Sequence, residues 1–327
     1  MLVDKMFLLL VVALFSFLVT FIGFPMVIPR LRQAGITGKN MNSEKQEEIP
    51  EMGGLVMVAG FCGGLILIIF LKVFFRLLSG IYLINILATL STVLIVALIG
   101  IFDDLISMRQ IIKAFMPIIA ALPLVAIEFS DTIMHIPFMG RVNFGILYPL
   151  ILIPLGITGA TNAFNMLAGF NGLEVGLGIV CMVTVSIIAY LTGSVTALAI
   201  SLTCLGVLLA TIYYNWYPAK VLVGDVGTLC MGTVLAVSVI VGDFETAGAI
   251  LIIPFLVEFI FKAAHGFPSK GWWGIYKEGK LYCPEERIVS LPQLIMKISG
   301  GIKESHLVLV LIGIEAIFGV IAILLYL

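Results

Sequence analysis

The sequence predicts an all-α, polytopic membrane protein of about ten spanning helices, and two observations predict it. The 327 residues are 61% hydrophobic and 11% charged, with a mean hydropathy of +1.20, a composition that excludes a soluble fold. Charge-free runs also recur, at 6–29, 52–71, 77–102, 114–127, 142–173, 175–219 and 226–242, and most approach or exceed the ~20 residues that a bilayer core demands of a helix.

The first run lacks a small-residue cleavage site and is closed by Pro25, Pro29 and Arg30, so it reads as a retained helix rather than a signal peptide. The second follows Pro50 and Glu51, and a proline and an acid at a helix start are ordinary capping chemistry. The third ends on Asp103 and Asp104, and the fourth, 114–127, is short enough to borrow flanking residues. The fifth leads into Asn162 and Asn165. The run 175–219 is long enough for two helices, with Gly193 and Ser194 supplying the turn. The eighth follows Asp225, and 246–261 and 305–327 complete the ten. The chain reads as one transmembrane domain, 1–327, with its largest polar loop at 262–304. Cys62, Cys181, Cys204, Cys230 and Cys283 show no paired or metal-binding spacing, which argues against a disulfide framework or a zinc site.

Ten crossings divide the polar loops into two sets. Fourteen of the 18 Lys and Arg residues fall in one set, and only Lys5, Lys72, Arg76 and Arg141 in the other. The positive-inside rule makes the richer set cytoplasmic and puts both termini outside. By the parity of the helices, Asp103, Asp104, Asn162, Asn165, Asp225 and the 262–304 loop then all reach the cytoplasmic face.

An ionised carboxylate at a helix centre costs roughly 2.5 to 3.5 kcal/mol, so acids at the ends of apolar runs are informative. Adjacent Asp103 and Asp104 repel, and they stay ionised beside a divalent cation or basic groups. Arg109 and Lys113, next in the chain, suit either those carboxylates or a phosphate. Asn162 and Asn165 share a helix face, and their amides can serve a metal or a phosphate. Gly169 and Gly172 permit close backbone approach to a flat or phosphorylated ligand. Val221-Leu-Val-Gly-Asp225 presents one carboxylate beside backbone N–H groups, which suits a metal-bridged diphosphate but equally a helix cap. Glu258 stands one helical turn from Lys262 and can pair with it. Glu315 is an intramembrane acid with no evident role.

Together these segments resemble the polyprenyl-phosphate N-acetylhexosamine-1-phosphate transferases, from about Lys39 to Trp272. Pro50-Glu-Met-Gly-Gly54 is similar to that family's Pro-x-Met-Gly-Gly segment, Asp103-Asp104 to its aspartate pair, and Asn162-Ala-Phe-Asn165 with Gly169-Phe-Asn-Gly172 to its metal and nucleotide segment. Val-Gly-Asp225 resembles its metal-binding aspartate, and His265-Gly-Phe-Pro-Ser-Lys-Gly-Trp272 its histidine-rich loop. The resemblance implies catalytic roles for Asp103 and Asp104, and Mg²⁺ or Mn²⁺ on Asp225 and Asn165. It implies substrate binding by Lys113, Arg109, Asn162, Gly169, Asn171, Glu51, Leu222, His265 and Lys270. One histidine where the bacterial muramoyl-pentapeptide enzymes have three, and Ala168-Gly169 where they have Asp-Gly, make the chain more similar to the archaeal and eukaryotic dolichyl-phosphate enzymes. Ser107 stands where many members carry Asp or Asn, and Leu222 where an aromatic can face uracil.

The expected reaction is transfer of GlcNAc-1-phosphate from UDP-GlcNAc to a polyprenyl or dolichyl phosphate in an archaeal-type plasma membrane or the endoplasmic reticulum. Nucleic acid is not an expected partner, and the resemblance permits a homodimer. Two alternatives are a bacterial-type transferase using another UDP-hexosamine and, from another class, a nucleotide-sugar transporter.

Overall fold

The computed structural model describes residues 2–43, 47–127, 132–136, 139–268, 271–284 and 287–327. Helix α1 (Leu2–Gln33) continues past the expected stop at Pro29. A proline deprives the carbonyl four residues earlier of its donor. For Pro25 that carbonyl is Phe21's, and the Tyr214 hydroxyl donates to it at 3.1 Å. Strands β1 (Thr37–Lys39) and β2 (Glu48–Pro50) form an antiparallel hairpin with Thr37 opposite Pro50. Helices α2 (Gly54–Phe74) and α3 (Leu83–Ile106) follow. The short fourth run borrows residues on its N-terminal side, and it is broken into α4 (Gln110–Phe115), α5 (Pro117–Ala120) and α6 (Leu122–Ile127).

A second hairpin, β3 (Ile133–Ile136) with β4 (Gly140–Asn143), precedes a π turn at Tyr148–Leu152 that opens α7 (Ile153–Met166). Helices α8 (Leu173–Thr192) and α9 (Val195–Asn215) meet at Gly193, the expected turn. Then come α10 (Gly224–Val241), α11 (Glu245–Leu251) and α12 (Ile253–Ala264). The last two bend by 52°, with Pro254 in the first turn of α12. The 262–304 segment is more than a loop. It carries a hairpin, β5 (Ile275–Lys277) with β6 (Lys280–Tyr282), and the helix α13 (Leu291–Ser299), before α14 (Glu304–Leu324).

Among the described residues, eight helices are long and apolar enough to span a bilayer, and nine if the bent pair is one span. The remaining expected crossing falls on Tyr148–Leu152 and α7, which is only 14 residues long. Helix α10 is the hub and packs against α2, α3, α7, α8, α9 and α11. It is buried on all sides, as an all-round hydrophobic helix must be. A Cβ on Gly54 of α2 would lie 2.2 Å from the Gly227 nitrogen, and one on Gly100 of α3 would lie 2.6 Å from the Val226 Cα. Lipid supplies no hydrophobic force between helices, so such small-residue contacts do the packing. They fix the first turn of α10 against two neighbours. Glu315 is buried between α14 and α8, where it accepts from the Cys181 thiol at 3.2 Å.

Candidate active site

Convergence of the distant polar groups is a direct feature of the fold. Lys113 Nζ lies 2.6 Å from Asp103 Oδ2 and 2.6 Å from Asp225 Oδ2, joining the end of α3, the last turn of α4 and the start of α10. Asp103 Oδ1 accepts from the Met108 backbone at 2.7 Å, which closes the turn between α3 and α4. Lys113 and Asp103 are both buried, so the ammonium is held by its two carboxylates with little solvent.

The aspartate pair divides its labour. Successive helical side chains diverge by about 100°, and Asp104 accordingly faces away from Lys113, toward the N-terminus of α10. Its oxygens accept the backbone N–H of Asp225 at 2.8 Å and of Val226 at 3.2 Å. Two of the donors that a helix start leaves unpaired are thereby satisfied from a neighbouring helix. Asp104 still lines the cavity described below.

The Pro50–Gly54 segment has a structural duty beyond capping. Leu222 N–H donates to the Pro50 carbonyl at 2.8 Å, Gly53 N–H to the Leu222 carbonyl at 2.9 Å, and Gly54 N–H to the Val223 carbonyl at 2.8 Å. This seam ties the start of α2 to the loop before Asp225 and brings Glu51 alongside it. Burial, and then the charge of Asp225, push the Glu51 carboxyl above its usual range.

Asn165, in the last turn of α7, donates its amide N–H to Asp225 Oδ1 and to Thr228 Oγ1, the latter at 2.9 Å. Asn162 instead donates to the carbonyls of Thr158 and Ala114, at 2.8 and 3.0 Å, and so ties α7 to α4. The asparagines share a cavity but not a partner. Gly169, at φ +103, lies under the Trp272 ring, and a Cβ there would fall 2.1 Å from it. Trp272 also meets Phe170 edge-on, and Lys262 Nζ stands 5.0 Å over its ring. Gln293 holds this aromatic segment in place by donating to the Gly271 and Trp273 carbonyls at 2.8 and 3.0 Å. Lys262 pairs with Glu258 at 3.0 Å, as their spacing predicts.

These groups line one end of a cavity of about 1360 Å³, larger than the ~300–1,000 Å³ of ordinary ligand pockets. The polar end has Glu51, Asp104, Lys113, Asn162, Asn165, Asn171, Leu222, Asp225 and Lys262. From there the cavity runs along α7, α10 and the bent α11–α12 pair, past Gly156, Gly159, Ala163, Ala236, Val239 and Leu256, to Met134, Tyr148 and Glu245. A Cβ on Gly156 or Gly159 would meet nothing within 4 Å. A polar head thus opens into a long apolar groove.

Arg109 and His265 do not line this cavity. Arg109 is exposed at the start of α4, and His265 Nδ1 pairs with the Phe261 carbonyl at 2.8 Å. Lys270 lies outside the described residues. Sequence reasoning missed Asn42, Thr228 and Glu304, which the structure brings into the site's hydrogen bonding. Glu304 reads in sequence as a routine acid in a helix's first turn. Asn42 sits in a polar stretch with nothing to single it out.

Comparison with known proteins identifies the chain's relatives. The model of glycosyl transferase family 4 matches residues 86–243, which contain Asp103, Lys113, Asn165 and Asp225. A protein of Saccharolobus solfataricus named as a putative UDP-N-acetylglucosamine–dolichyl-phosphate N-acetylglucosaminephosphotransferase is 38% identical, covering 95% of each chain. A Sulfolobus acidocaldarius protein of the same name is 36% identical, covering 94% of this chain and 93% of its own. The enzyme of that name from Schizosaccharomyces pombe is 29% identical over 86% of this chain and 69% of its own. By the family match and the similarity to these relatives over nearly its whole length, the chain belongs to glycosyl transferase family 4.

Proposed function

We propose that this protein transfers GlcNAc-1-phosphate from UDP-GlcNAc to a membrane polyprenyl (dolichyl) phosphate, releasing UMP. One observation carries the reading: the Asp103–Lys113–Asp225 bridge stands where a polar recess joins an apolar groove. A water-soluble donor and a lipid acceptor would meet at such a junction. The names of the archaeal and yeast relatives point to the same pair of substrates. The Lys and Arg asymmetry supports a cytoplasmic position for this polar end.

In the reaction, an oxygen of the acceptor phosphate bonds to the sugar-side phosphorus of the donor. The bond from that phosphorus to the bridging oxygen breaks, and the oxygen leaves with UMP. Both substrates are anions, so neutralising charge and aligning the phosphates are the main tasks. Lys113 supplies a fixed positive charge, and Asp103 holds it there. Asp104 keeps the start of α10, and with it Asp225, in register.

The site's chemistry fits a hard divalent cation. Asp103 and Asp225 share one lysine, and Glu51 and Asp104 line the same cavity, an excess of acids that a cation would balance. Among the described residues no three His, Cys, Asp or Glu form a ready-made cage, but Mg²⁺ typically takes one or two carboxylates together with substrate phosphates. Asp225 and Asn165 would hold it. When bound, the ion offsets charge developing on the bridging oxygen.

The purified protein should release UMP when given UDP-GlcNAc and a short polyprenyl phosphate. Excess EDTA should stop the reaction, and Mg²⁺ or Mn²⁺ should restore it. No UMP with UDP-GlcNAc but release with UDP-GalNAc would move the assignment to another hexosamine, and full turnover in EDTA would remove the metal. The groove has its own test. Gly159→Leu adds a side chain to open space and favours helix by about 1 kcal/mol, so folding is retained. The acceptor KM should rise roughly tenfold with the donor KM unchanged, and an unaltered acceptor KM would show that the lipid lies elsewhere.

A further inference from the structure

A buried acid on the last helix stands behind two loops at the polar end of the cavity, and the scheme above makes no use of it. Glu304 is 5% exposed. Its Oε1 accepts from the Asn171 backbone N–H at 2.8 Å and from Asn42 Nδ2 at 3.3 Å. The same Asn42 nitrogen donates to the Gly169 carbonyl at 2.9 Å. One carboxylate thus ties together two loops that are distant in sequence. Both loops line the cavity, through Asn40 and Met41 on one side and Gly169 and Asn171 on the other.

A favourable charge at the start of α14 explains an acid there, but not its burial or its hydrogen bonds to two remote loops. The cluster is also incomplete. Among the described residues, Asn42 Oδ1, Asn171 Nδ2, Glu174 Oε2 and Glu304 Oε2 are buried without a partner, and Asn171 and Glu174 line the cavity. Buried polar atoms are nearly always paired in the functional state, by protein, water or ligand.

We propose that Glu304 is a positioning residue for the nucleotide-sugar donor, setting the spacing between the 40–42 and 169–171 loops as two jaws at the polar end of the cavity. The role rests on the donor reading above. Glu304 touches neither the reacting phosphates nor the lipid groove along α7 and α10. Its loss therefore loosens donor binding and leaves the acceptor and the chemical step largely alone.

Steady-state kinetics of the full chain with UDP-GlcNAc and a short polyprenyl phosphate tests this. Glu304→Ala should raise the donor KM about tenfold or more, with the acceptor KM and kcat within about threefold of wild type. Glu304→Gln keeps a carbonyl that accepts both N–H groups and should restore most of the donor affinity. Asn42→Ala alters a loop rather than a buried helix residue and should also raise the donor KM. Combined with Glu304→Ala the rise should be smaller than the product of the two single effects, because both residues hold the same pair of loops.

An unchanged donor KM in folded Glu304→Ala overturns the proposal, and so does an equal rise for both substrates. Should Glu304→Ala not fold, an unchanged donor KM in Asn42→Ala overturns it. Absence of UMP release by the wild-type protein would overturn the donor reading itself. Wild-type turnover with unmoved variants would overturn only the role of Glu304.

Discussion

Asp225→Asn is expected to lower turnover by at least about 10³-fold while leaving the protein folded. The substitution keeps the shape of the side chain. Lys113 retains Asp103 at 2.6 Å, and the Asp225 backbone N–H still donates to Asp104, so the start of α10 stays anchored. What disappears is the charge that faces Lys113 and Asn165 at the mouth of the groove. Thermal unfolding in detergent should shift by only a few degrees, whereas UMP release should be almost abolished. Near-native turnover would remove Asp225 from the reaction.

Lys113→Ala is expected to damage both stability and activity, because the lysine is a keystone between acids as well as a phosphate partner. Breaking a buried ion pair by removing one member costs about 3–5 kcal/mol. Here the removal leaves Asp103 and Asp225 facing each other, with side-chain exposures of 6% and 27%. The melting temperature should fall, and the donor KM should rise in the protein that remains folded. Adding Asp103→Ala removes one of the stranded acids and should recover part of the stability without recovering turnover. A Lys113→Ala protein with the wild-type melting temperature would show that the bridge contributes nothing to the fold. An unchanged donor KM would contradict the phosphate role.

The order of the spanning helices, and eight or nine of the ten expected among the described residues, were legible because hydropathy and length are properties of the chain itself. The turn at Gly193 followed from the same reasoning, and so did the pairing of Glu258 with Lys262, which are one helical turn apart. Differences arose where one helix compensates another. Pro25 does not end α1 because Tyr214, nearly two hundred residues away, supplies the missing donor to Phe21. Asp103 and Asp104 are indistinguishable as neighbours in sequence. Yet one salt-bridges Lys113 and the other caps α10, since adjacent helical side chains point in different directions. The 262–304 segment reads as polar loop because its hairpin and α13 are short, and short elements carry little periodicity.

Sequence by itself determined that this chain lives in a bilayer, and it singled out Asp103, Lys113, Asn165 and Asp225. Charged groups among hydrocarbon are costly enough to be visible without coordinates. Only the tertiary structure decided which oxygen meets which donor, that Glu304 and Asn42 belong to the same polar end, and that a groove leads away from it. Those facts depend on the glycine contacts that draw α2 and α3 against α10 and on bonds between loops far apart in the chain, for which local pattern holds no signal.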